Sequence, residues 1–116
     1  MRLRLQVVYA GVLCAGMSLM GDPVELQDRL QLADGLFRRS LFDLAAREYA
    51  ALADAPGVEG LDNVLFRLGE CYRRTQHFPE AEAAYKRLAE ACPASTNVFR
   101  ANLQRALILM NAGGGS

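Results

Sequence analysis

Six residues of this chain return 36 positions later, and no other feature limits the fold as much: Leu32, Ala33, Phe42, Ala45, Tyr49 and Leu52 are matched by Leu68, Gly69, Phe78, Ala81, Tyr85 and Leu88. A repeat of this length is one supersecondary unit. It is too short to bury its own apolar face, so neighbouring units must stack into a continuous core. The 116 residues have room for two to three such units, or for one compact domain.

Each unit has the periodicity of helices. Apolar residues recur at Leu30, Ala33, Leu36 and Phe37, then at Phe42, Ala45, Tyr49 and Leu52, the three-to-four residue spacing of a helix face. Pro56-Gly57-Val58-Glu59-Gly60 is turn chemistry, after which Asp62 can cap a helix that buries Leu65, Leu68 and Tyr72. The break Thr75-Gln76-His77 is short. The helix that Pro79 opens, with Ala81, Ala84, Tyr85 and Leu88 on one stripe, must therefore run antiparallel to the one before it. Pro93 closes that helix, and Ser95, Thr96 or Asn97 can cap a last one in which Val98, Phe99, Leu103, Ala106, Leu107 and Met110 are apolar. No segment has the pattern of a strand. The expected fold is all-α: antiparallel helix-turn-helix repeats forming an α-solenoid segment, with units over about 24–57 and 61–94 and a final capping helix over about 96–111.

The two ends differ from this domain of residues 22–111. Arg2 and Arg4 precede an uncharged stretch, Leu5 to Met20. Sixteen residues suit the apolar region of a signal peptide better than the ~20 of a spanning helix. Residues 1–21 are thus expected to be an apolar leader helix, a signal peptide or else an uncleaved membrane anchor, and the protein is expected to be exported. A lipid anchor on Cys14 is disfavoured by Leu13 in front of it. Pro23 suits a first helical turn, and residues 112–116, rich in glycine, are expected to be a flexible tail.

Charge and chemistry exclude several classes. Basic and acidic residues balance at 13 each, whereas a nucleic-acid partner selects a concentrated basic face. His77 is the sole histidine and stands in a short turn, where general-base work would lack a positioned partner. No glycine-rich phosphate loop follows a strand, and no cysteine or histidine pair has zinc spacing. Neither catalysis, nor a cofactor, nor a metal is expected. Cys71 and Cys92 are expected to be free thiols, because in a hairpin they stand roughly 13 Å apart along the axis at ~1.5 Å per residue, beyond the ~7 Å reach of a disulfide.

The second unit closely resembles the tetratricopeptide motif. Leu65, Leu68, Gly69 and Tyr72 in its first helix, Ala81 and Tyr85 in its second, and Pro93 after it all stand at the family's spacing. Gly69 and Ala81 are small residues that let two helix backbones approach, with Tyr72 and Tyr85 filling the groove beside them. The first unit departs more, with Arg29 at a large apolar position and Gly57 at the proline position. A third unit begins at the end of the chain, with Ala106, Leu109 and Gly113 in place. Together with the leader, the chain is similar to bacterial envelope proteins of this superfamily, of the outer-membrane assembly lipoprotein and Tol-Pal-associated coordinator kind, and that resemblance implies a periplasmic or envelope-associated protein, or else one anchored in the inner membrane by an uncleaved leader.

The resemblance implies a non-catalytic adaptor that binds a protein or peptide in a concave groove. By family geometry that wall would include Leu30, Asp34, Phe37, Arg38, Asn63, Phe66, Glu70, Arg73 and Arg74. Arg38 and Arg74, one repeat apart and each beside another arginine, either compensate a helix C-terminus or attract a partner's carboxylates. With so few units, self-association through uncapped faces is expected as well. The alternative is an accessory amino-terminal region of a larger exported enzyme, a peptidase or a cell-wall enzyme.

Overall fold

A computed structural model describes residues 23–114, and the expected leader, residues 1–21, lies outside the described residues. These residues form five helices and no strand: α1 (Pro23–Arg38), α2 (Phe42–Asp54), α3 (Leu61–Arg74), α4 (Phe78–Ala91) and α5 (Asn97–Gly114). Each packs on the next, and α3 also touches α5.

The helix starts follow from local chemistry. Pro23 heads α1, where its missing N–H removes one of the donors a helix start leaves unpaired. Pro79 does the same beside the start of α4, with His77 at the cap position. Asp62, expected as a cap, sits inside the first turn of α3, because Gly60 in a left-handed conformation (φ 70°) has already started the helix. Asp62 is used otherwise: one oxygen accepts from the Asn63 N–H and the other from the Ser95 hydroxyl. Ser95 in turn accepts from the Asn97 N–H at 3.0 Å, which pins the start of α5 beside the start of α3. Helix α5 runs through Gly114, past the end expected at 111, since glycine costs a helix about 1 kcal/mol but does not prevent its backbone hydrogen bonds.

Two turns of three residues, 39–41 and 75–77, close the antiparallel pairs α1–α2 and α3–α4. They are copies of each other. Ser40 (φ 61°) and Gln76 (φ 65°) are left-handed. The Leu41 N–H reaches back to the Leu36 carbonyl at 2.9 Å and the His77 N–H to the Tyr72 carbonyl at 2.8 Å. This six-to-one closure satisfies carbonyls that a helix end otherwise leaves unpaired.

Contacts within pairs and between pairs have different spacings. Inside a pair the Tyr49 hydroxyl donates to Asp34 and the Tyr85 hydroxyl to Glu70, both across 15 residues. Between pairs the separation stays near the repeat length. Asp34 meets Arg67 across 33 residues, Asn63 meets Asn97 across 34, and the Ala53 carbonyl meets Arg87 across 34. A constant separation means parallel neighbours. Helices α1, α3 and α5 therefore form one layer, and α2 and α4 a second.

Between the layers lies the core. Tyr49, Tyr85, Leu52, Leu65, Leu88, Val64 and Cys71 are fully buried, and each large apolar side chain removed from water stabilises by about 1.5–3 kcal/mol. Leu68 is 6% exposed because α2 covers the flank of α3, whereas its repeat counterpart Leu32 is 51% exposed at the outer side of α1. Gly69 has no room for a side chain, since a Cβ there would lie 2.5–2.8 Å from the ring atoms of Tyr85. Ala33 at the same repeat position is fully buried.

Gly69→Ala is expected to destabilise by about 1–3 kcal/mol through overpacking against Tyr85. Gly35→Ala, in α1 with its nearest neighbour 3.9 Å away, is expected to stabilise by about 0.5–1 kcal/mol. Urea denaturation of the two variants should move the midpoint in opposite directions.

Candidate functional site

The α1–α3–α5 layer carries nine residues expected to form a binding wall, and the structure divides them by what they touch. Leu30, Asp34 and Asn63 line a cleft of about 190 Å³ between α1 and α3, together with Tyr49, Glu59, Gly60, Val64 and Arg67. Leu30 and Glu59 also border a neighbouring cleft of about 220 Å³ formed with Pro23, Leu26, Gln27, Gly57 and Val58. Arg73 and Arg74 line a separate cleft of about 370 Å³ with Gln76, Phe78, Gln104, Leu107, Ile108 and Asn111.

Phe66, Phe37 and Glu70, also members of the expected wall, serve the packing instead. The Phe66 side chain is buried, with Arg100 stacked 4.5 Å from its ring centre on one side and the Tyr85 ring 5.9 Å away. Phe37 is flanked by the rings of Phe42 and Tyr49 and overlain by Arg67 at 5.7 Å. Glu70 is buried and accepts from Tyr85 and from Arg73, each at 2.5 Å. Arg74 lies over the Phe42 ring at 5.2 Å, and Arg38 is exposed at the end of α1. A stacked guanidinium keeps its charge and its donors while covering apolar surface.

Arg67, Arg100, Asn97 and Glu59 were not expected in the site, and the structure places them on or beside it. Three of them carry a signal that the sequence holds. Arg67, Asn97 and Arg100 follow their partners Asp34, Asn63 and Phe66 by 33 or 34 residues, close to one repeat.

The α1–α3 cleft has a mixed polar lining. The Arg67 guanidinium donates to Asp34 at 2.8 Å while its side chain stays 42% exposed, so it can still offer donors to a ligand. Asn63 accepts from the Asn97 amide at 2.8 Å through its side-chain oxygen. The Arg73 Nε is buried without an acceptor among the described residues. Among those residues no group of three His, Cys, Asp or Glu could hold a metal ion, and no helix is long and apolar enough to cross a membrane. Comparison with protein-family profiles, with curated proteins and with solved structures returned no match.

Burial dominates the titration of the core groups. It raises the Tyr49 and Tyr85 hydroxyls above their ordinary 10.0, and the acceptors Asp34 and Glu70 add to the shift. The Cys71 thiol is pushed from 9.0 up to about 12, chiefly by burial and then by the Glu70 charge. Cys71 and Cys92 are free thiols, Cys71 buried and Cys92 half-buried.

Two outcomes follow for stability. Asp34→Ala strips the buried Tyr49 hydroxyl of its acceptor and should cost about 1–3 kcal/mol, whereas Arg67→Ala removes a half-exposed ion pair and should cost about 1 kcal/mol or less. Chemical denaturation orders the two. The pH dependence has a definite sign: Cys71, Tyr49 and Tyr85 hold their protons more tightly folded than unfolded. Stability from these groups is complete below pH 9 and is lost as pH rises, first through Cys71 and above pH 10 through the tyrosines as well. Thermal melts from pH 8 upward should show the fall beginning near 9, and Cys71→Ala should delay it towards 10.

Proposed function

We propose that the chain is a tetratricopeptide-type binding scaffold of the bacterial cell envelope that holds a protein or peptide segment against the face of α1, α3 and α5. It contributes binding and no chemistry of its own. The observation that carries this function is the α1–α3 cleft, which Asp34, Asn63, Arg67 and Glu59 line together with the apolar Leu30 and Val64. A peptide backbone presents donors and acceptors in alternation, and a wall that mixes amide, carboxylate and guanidinium groups around an apolar centre suits it better than it suits a phosphate or a purely apolar ligand.

Three features support the family assignment. The seven motif residues of the second unit stand at family spacing. Gly69 meets Tyr85 in the close approach that such a motif requires. The tyrosine-carboxylate hydrogen bond recurs one repeat apart. Export to the envelope is supported by the arginines at positions 2 and 4 and the uncharged stretch after them.

A photo-crosslinking residue at Asn63 in the native envelope is expected to trap a discrete protein or peptide adduct, and the same residue at Ala83 on the α2–α4 side is expected to trap none. Equal adducts from both positions, or none from Asn63, would remove the groove from the proposal.

A further inference from the structure

Helix α5 is apolar on two opposite sides. Its inner side buries the apolar Ala101 and Ile108 beside the hydrogen-bonded Asn97. At 3.6 residues per turn, Phe99, Leu103, Ala106, Leu107 and Met110 fall within an arc of about 100° opposite that side. All five are exposed, Phe99 at 76% and Met110 at 67%. A helix that is apolar on both sides belongs to a buried position. We propose that this outer face of α5 pairs antiparallel with the same face of a second copy of the chain.

Charge, side-chain fit and area single out a second copy as the occupant. The two charged residues of α5 are both engaged within the fold, Arg100 over the Phe66 ring and Arg105 on Glu82 at 3.1 Å. The outer stripe itself therefore carries no charge, and the guanidinium groups of Arg73 and Arg74 border it only at its Leu107 edge. A two-fold axis across α5 makes its copy antiparallel.

The stripe is also self-complementary in this arrangement. With the axis between Leu103 and Ala106, Phe99 faces Met110 at both ends and Leu103 faces Ala106 beside the axis, while Leu107 meets Asn102 at the edge of the stripe. The first match sets a thioether against an aromatic ring and the second a large residue against a small one. The exposed side chains offer roughly 500 Å² per copy, so a pair removes about 1,000 Å² from water, the size at which specific association begins.

The test is sedimentation of the full 116-residue chain, with circular dichroism as the check on folding. The chain is expected to sediment as a dimer. Phe99→Glu and Met110→Lys, each alone, place a charge against an apolar partner at both ends and should raise the dissociation constant about a hundredfold. Mixing the two variants brings the opposite charges together at one end and restores a native contact at the other, so dimer should return. Leu109→Glu, exposed but off the stripe, should leave association unchanged. A monomeric wild type, or dimers that survive both stripe variants with helicity intact, would overturn the proposal. Failure of the mixture to recover would overturn the antiparallel register.

Discussion

A buried tyrosine hydroxyl must find an acceptor, and in each helix pair that acceptor is a carboxylate on the opposite helix, Asp34 for Tyr49 and Glu70 for Tyr85. The hydrogen bond fixes how far one helix can slide along the other. The ring fixes how far apart they stand, and in the second unit it lies so close that only glycine fits beneath it. Axial register and separation are thus both set by one side chain per unit. An arginine completes each carboxylate, Arg67 from the next pair for Asp34 and Arg73 one turn away for Glu70.

This difference in the source of the arginine is what makes the two ends of the layer unlike. Where the arginine comes from the neighbouring pair it ties two units together and borders a cleft, as at Asp34. Where it comes from the same helix the carboxylate is sealed inside, as at Glu70, which is buried. A recurring residue pair can therefore be structural in one unit and border a surface in the next. Stacked guanidinium groups extend the same logic: Arg67, Arg74 and Arg100 each cover an aromatic ring that would otherwise face water.

The five helices, their antiparallel pairing and the crowded Gly69 could be read from the sequence because each depends on local chemistry: apolar spacing, prolines near helix starts, a three-residue break. The wall was less legible. Its expected members Phe66 and Glu70 are closed off by Arg100 and Tyr85, side chains distant in sequence whose approach depends on how units stack. Asp62 was expected as a cap because helix-starting chemistry is local, but the left-handed Gly60 had already opened the helix and freed the carboxylate for Ser95. Helix α5 posed a different difficulty. Both of its sides are apolar, so periodicity could not choose which one the core would take, and the fold takes the side of the small Ala101 and of Ile108.

The two left-handed corners at Ser40 and Gln76 also bear on how such a chain can change length over time. Each corner closes a pair within three residues, and any insertion there would rotate the second helix and carry its tyrosine away from the carboxylate it needs. The longer connections, residues 55–60 and 92–96, join one pair to the next and answer to no such bond within a pair. Length variation among descendants of this chain should accumulate at the joints between units, leaving the corners inside them constant.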